Sequence, residues 1–198
     1  MSHYPEARFI KSANALCQFV TDTGAEVAVA GRSNAGKSSA INTLVNRRQF
    51  ARTSKTPGRT QLVNFFALEG EQRLVDLPGY GFAKVSGKMR HHWRDLMADY
   101  FEARHSLRGL FLIVDIRRQI TAFDEQMLEF AEQVSLPTHV LLTKTDKLKR
   151  GQAAKALLEV RRDLGSIATV QHFSALTRLG EDEARAKLDD FLALPAGE

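Results

Sequence analysis

Gly31-Arg32-Ser33-Asn34-Ala35-Gly36-Lys37-Ser38 meets every fixed position of the phosphate-cradling pattern G-x-x-x-x-G-K-[ST], and the neighbouring segments take their meaning from it. Glycines at 31 and 36 permit a tight turn that brings backbone N–H groups against phosphate oxygens. Lys37 adds a point charge, and the Ser38 hydroxyl is a ligand for Mg²⁺. With glycine at about 7% of residues, chance delivers those four positions in a chain of this length on the order of once in a hundred sequences. That weakens the competing reading, a glycine-containing surface turn. Glu26–Ala30 before the loop reads as a short buried strand, and Ser38–Val45 after it has helical apolar spacing. Strand, loop and helix is the order the motif requires.

The 198 residues suffice for one domain with a hydrophobic core, and 43% hydrophobic with 26% charged residues excludes a disordered or membrane-spanning chain. A net charge of +5 suits a polyanionic partner such as RNA and suits a merely soluble surface equally well. Cys17 is the only cysteine, which rules out an intramolecular disulfide framework and leaves a small buried apolar residue as its expected role. Residues 1–8 carry no apolar signal core, so the expectation is a soluble, cytoplasmic protein without membrane association.

Along the chain, residues 8–22 form a lead-in that reads equally as helix or strand. Asn46–Thr60, rich in Arg, Lys, Thr, Pro and Gly, reads as a long functional loop. Gln61–Leu68 and Gln72–Asp76 read as strands joined by a short turn, and are therefore antiparallel. Asp76–Lys88 is again loop-like. Met89, Trp93, Leu96, Met97, Tyr100 and Phe101 then recur at helical spacing, with Trp93 expected in the core. Leu107–Asp115 and Thr138–Thr143 read as buried strands, with an amphipathic helix at Glu125–Val134 between them. Ala153–Leu164 reads as a helix, Ile167–Phe173 as a last strand and Asp182–Leu194 as a closing helix. The alternation predicts an α/β domain: a mixed, mostly parallel six-stranded sheet with helices on both faces and the ligand at the carboxyl ends of the strands.

Two further motifs carry chemistry. Asp76-Leu77-Pro78-Gly79 follows an apolar strand, as befits a carboxylate that reaches Mg²⁺ through water, with the Gly79 N–H available to a γ-phosphate. Thr143-Lys144-Thr145-Asp146 ends another strand. Asp146 could accept hydrogen bonds from N1–H and the 2-amino group of guanine, donors that adenine lacks, while the Lys144 stem could lie along the base. Phe173-Ser174-Ala175 ends the last strand and supplies a small residue whose N–H could reach guanine O6. A P-loop kinase is the competing enzyme class, and T-K-T-D argues against it.

In this order and over nearly the whole chain, the motifs resemble the Ras-like, translation-factor-related GTPases. The strings Thr53-Ser54-Lys55-Thr56-Pro57-Gly58-Arg59-Thr60-Gln61 with Asn64-Phe65-Phe66, and Asp76-Leu77-Pro78-Gly79-Tyr80-Gly81-Phe82-Ala83, resemble the small bacterial GTPases called EngB, YihA or YsxC. The resemblance implies a Ras-like P-loop GTPase domain over 23–198 with the lead-in 1–22 packed on it. It implies a GTP/GDP switch acting in large ribosomal subunit assembly, needed for normal cell division and septation, and working as a monomer. Its alternative is a nucleotide-gated binding protein of the division machinery with incidental hydrolysis. It further implies that Thr60 joins Ser38 on Mg²⁺, that Gly58, Arg59, Thr60, Gln61 and Leu62 border the nucleotide, and that Asn34, Lys37, Thr60 and Gly79 serve catalysis. Tyr80 stands where many relatives carry a water-positioning Gln, so intrinsic hydrolysis is expected to be slow. In related GTPases an Asn at the position of Asn34 ligates K⁺; loop stabilisation is the other reading of this residue. Arg47, Arg48, Arg52, Lys55 and Arg59, and the segment Lys84–Arg94 with its pair His91 and His92, read either as solvated faces or as contacts to ribosomal RNA. The histidine pair lacks further ligand types nearby and is not read as a zinc site.

Overall fold

Leu107–Asp115, buried at every position, forms β5 beside the strand that feeds the P-loop. The computed structural model describes residues 4–51, 62–81 and 87–193, with the side chains of 88–90 excepted. One seven-stranded sheet has the order β1 (Arg8–Ala13), β3 (Val63–Ala67), β4 (Gln72–Asp76), β2 (Ala25–Gly31), β5, β6 (Thr138–Thr143), β7 (Thr169–His172). From β4 to β7 every pairing is parallel, while β3 runs antiparallel to both β4 and β1.

The period-2 alternation of the strands sorts side chains to the two faces. Val27, Val29, Phe111 and Ile113 pack with Ile41 and Leu44 of α1 (Lys37–Leu44) and with Leu188 and Phe191 of α5 (Glu181–Ala193). Ala28, Ala30, Leu110 and Leu112 pack on the other face. Their partners are Trp93 and Met97 of α2 (Gly87–Ala103), Met127 of α3 (Ala122–Gln133) and Val160 of α4 (Arg150–Leu164). The predicted mixed sheet covered on both faces is observed, and Trp93 is buried as expected.

Two expectations are corrected. The sheet has seven strands rather than six, because residues 8–13 pair with β3 as an edge strand. Phe9 and Ile10 there remain 54% and 41% exposed, so no buried face imposed a readable periodicity. Cys17 is exposed, in a 3-10 turn at Leu16–Gln18 that turns no side chain into the core.

Candidate functional site

The P-loop turns between β2 and α1 where space excludes larger residues. A Cβ on Gly31 would lie 2.6 Å from the Ile113 carbonyl oxygen, and Gly36 adopts φ 105°, a backbone conformation open to glycine. The strand ends around it gather the other motifs. Asp76 lies opposite Val29 across the β2–β4 pair, Leu77 N–H donates to the Val29 carbonyl at 3.0 Å, and Ser33 N–H donates to the Tyr80 carbonyl at 2.9 Å. The Lys37 ammonium ion-pairs with Asp76 Oδ1. Residues 31–38 and 76–79 thus form one surface, at whose edge the α1 amides begin.

The T-K-T-D segment docks behind the same loop. Thr143 Oγ1 lies 2.5 Å from the Ala35 carbonyl and 3.1 Å from that of Val114. Lys144, at φ 59°, donates to the Asn34 carbonyl at 2.5 Å. Thr145 N–H reaches the Phe173 carbonyl at 3.3 Å, and Ser174 Oγ, fully buried, donates to Asp146 Oδ1 at 2.7 Å. That hydrogen bond, with Lys147 at 3.3 Å, holds the Asp146 carboxyl below its ordinary range, so it is an ionised acceptor at neutral pH. Arg32, Ser33, Asn34, Ala35, Gly36, Lys37, Asp76, Thr143, Lys144, Asp146 and Ser174 therefore lie together. Gly58, Arg59, Thr60 and Gln61 lie outside the described residues; Leu62, next to them, is partly buried just before β3.

Tyr80 is 3% exposed, and its phenol donates to Asp124 Oδ1 at 2.6 Å, stacked near Phe123 and edge-on to Trp93. Burial, followed by the charge of Asp124, pushes its pKa up, so the group stays a neutral donor turned into the core. Trp93 Nε1 donates to the Pro78 carbonyl at 3.3 Å, tying the D-L-P-G loop to α2. The Tyr80→Phe variant is expected to keep its GTP turnover while losing about 1 kcal/mol of stability, read by steady-state hydrolysis and urea melts. A large drop in turnover with intact GDP binding would bring the phenol into the reaction.

Sequence reading missed Asp115. Its carboxylate receives Lys144 Nζ at 3.0 Å and Arg117 Nη2 at 2.7 Å. Burial opposes its ionisation, but the Arg117 and Lys144 hydrogen bonds outweigh that and hold it far below the ordinary carboxylate range. The ion pair fixes the lysine that braces the P-loop. The available signal was an acidic residue ending a continuous apolar run and followed two residues later by Arg. These groups line a cleft of about 390 Å³ with Arg32, Gly81 and Thr121. Arg47, read with the basic loop, is instead committed internally, its guanidinium donating to the carbonyls of Pro5 and Ala7. Arg48, His91, His92 and Arg94 are exposed, whereas Arg52, Lys55 and Lys84 lie outside the described residues. Among the described residues no helix is long and apolar enough to cross a membrane.

A family model described as "50S ribosome-binding GTPase" matches residues 26–144. The "Probable GTP-binding protein EngB" of Hydrogenovibrio crunogenus is 50% identical over 192 residues, 96% of this chain and 91% of that protein. The protein of the same name from Pectobacterium carotovorum subsp. carotovorum is 50% identical over 196 residues, 96% of this chain and 92% of its own. Among solved structures, "Crystal structure of a probable GTP-binding protein engB" matches with a TM-score of 0.69 at 21% identity, covering 85% of this chain and 98% of that one. Aquifex aeolicus Era bound to GDP and AlF4⁻ matches with a TM-score of 0.64 at 21% identity, covering 87% and 57%. The structural likenesses establish the Ras-like P-loop fold, and the sequence likenesses go further: the chain belongs to the EngB family of GTP-binding proteins and is a GTPase.

Proposed function

We propose that this chain is a GTP-operated switch for assembly of the large ribosomal subunit, hydrolysing GTP slowly in the cytoplasm as a monomer, with cell division and septation depending on it. The family description, which names binding to the 50S ribosome, is the observation that carries the partner. The exposed basic side chains of Arg48 and Arg94 suit a ribosomal RNA surface in charge. In this reading residues 23–198 are the GTPase domain, and 1–22 a lead-in packed on it.

Gly31–Ser38 cradle the phosphates, Asp146 with Ser174 and Ala175 reads guanine, and Leu77, Pro78, Gly79, Thr145 and Phe173 complete the walls. The donor set suits Mg²⁺: Ser38 lies in the first turn of α1, and Asp76 directs one carboxylate oxygen at the P-loop lysine. Ser38 and Thr60 would hold the ion, with Asp76 on its water-bridged side. When bound, the ion neutralises charge on the β- and γ-phosphate oxygens. With Tyr80 turned into the core, Asn34 would supply the missing help by holding K⁺; equal turnover in K⁺ and Na⁺ would exclude that role.

Co-sedimentation with purified large subunits tests the function. Retention with a non-hydrolysable GTP analogue and release with GDP are expected, and nucleotide-independent behaviour would refute the switch.

A further inference from the structure

Asn64 is a polar residue inside an otherwise apolar strand, Val63-Asn64-Phe65-Phe66-Ala67. Asparagine is disfavoured in strands, so its presence calls for a local reason. The register supplies one. Ser12 of β1 faces Asn64 of β3, and Asn64 faces Asp76 of β4, so three side chains stand in line across three adjacent antiparallel strands, on one face of the sheet. That face is the one bearing α1, because Phe66 and Leu74, two residues away on β3 and β4, pack with Ile41 and Leu44. The line is hydrogen-bonded from end to end: Ser12 Oγ donates to Asn64 Oδ1 at 2.6 Å, and Asn64 Nδ2 donates to Asp76 Oδ2 at 3.3 Å.

The orientation of the amide follows from chemistry. The NH₂ end of Asn64, its only side-chain donor, faces Asp76, and the carbonyl end, its only side-chain acceptor, faces the Ser12 hydroxyl. Asp76 therefore has its two oxygens divided. Oδ2 is held from the sheet by Asn64, and Oδ1 is presented to Lys37 in the P-loop. Lys37 is the residue read as serving phosphate, whereas the Asn64 amide belongs to the strand framework.

We propose that Asn64, fixed by Ser12, is a positioning residue that orients Asp76 for Mg²⁺-dependent nucleotide binding. The proposal rests on the reading of Asp76 as the carboxylate that reaches Mg²⁺ through water. It gives the lead-in strand a part in the site: Ser12 lies in the segment expected only to pack on the domain. Groups that orient metal-binding side chains from behind typically change metal affinity by about ten- to a hundredfold when removed.

The experiment measures affinity for a fluorescent non-hydrolysable GTP analogue across a range of free Mg²⁺, with GDP affinity in EDTA as the metal-free reference. Asn64→Leu is expected to raise the Mg²⁺ concentration for half-maximal tightening by about tenfold while leaving GDP affinity in EDTA unchanged. Ser12→Ala, which frees the amide without removing it, is expected to shift that midpoint in the same direction by a smaller factor. Asp76→Ala, which leaves Ser38 and Thr60 in place, should move the midpoint at least as far as Asn64→Leu. A moved midpoint in Asp76→Ala with an unmoved midpoint in both Asn64→Leu and Ser12→Ala would overturn the positioning role alone. An unmoved midpoint in Asp76→Ala would overturn the metal role of Asp76 and the proposal with it. A purely structural Asn64 would lower the melting temperature and weaken GDP binding in EDTA equally, without moving the midpoint, and would also overturn it.

Discussion

Asp146→Ala is expected to weaken GDP binding by about a thousandfold and to leave the already weak binding of ADP nearly unchanged, collapsing the preference for guanine. The magnitude follows from losing two hydrogen bonds to a charged acceptor, each worth about 1.5–3 kcal/mol. Adenine offers no donor at either position, so its binding gains nothing from the carboxylate and loses nothing without it. The surroundings of Asp146 make the test clean. It sits in a one-turn 3-10 segment at Thr145–Lys147 rather than in the packed layers, and its partners are Ser174 and Lys147. Competition titrations with GDP and ADP measure both affinities, and a thermal melt checks that the fold survives. Unchanged selectivity would sink the base assignment. Ser174→Ala should produce a milder loss of the same kind, because it frees the carboxylate without removing it.

The second large effect concerns Lys37. Lys37→Ala is expected to reduce single-turnover GTP hydrolysis by about a hundred- to a thousandfold, the usual consequence of removing one preorganised positive donor from developing phosphate charge. It also breaks the pair with Asp76, whose side chain is only 10% exposed, so the nucleotide-free protein should lose stability as well. The two losses separate in the double variant. Removing Asp76 together with Lys37 should recover part of the nucleotide-free stability, since no uncompensated charge remains, while hydrolysis stays low. Hydrolysis by Lys37→Ala within a few-fold of the natural protein would remove Lys37 from the reaction.

Much of this was legible in the chain because the relevant signals are local. Gly31 and Gly36 announce a backbone turn, Leu107–Asp115 announces a doubly covered strand, and Asp146 stands at the end of a run that can only be a strand. Trp93 and Tyr80 were visible as residues but not as contacts. That Trp93 donates to Pro78, and that the Tyr80 phenol donates to Asp124, depend on how α2 and α3 lie against the D-L-P-G loop. The lead-in strand was left open because at a sheet edge one flank faces water and hydrophobic pattern stops reporting on structure, and Cys17 was misjudged because it lies in a 3-10 turn that buries no side chain.

The sequence by itself determined the P-loop, the order of motifs, the alternating α/β layers and the carboxylate proposed to read guanine, since each depends on residues within a few positions of one another. Only the tertiary structure decided which distant groups meet: Asp115 with Lys144, Arg47 with the lead-in carbonyls, and the line from Ser12 through Asn64 to Asp76. Strand register brings residues 52 and 12 positions apart to hydrogen-bonding distance, and register is a property of the packed sheet rather than of any one segment.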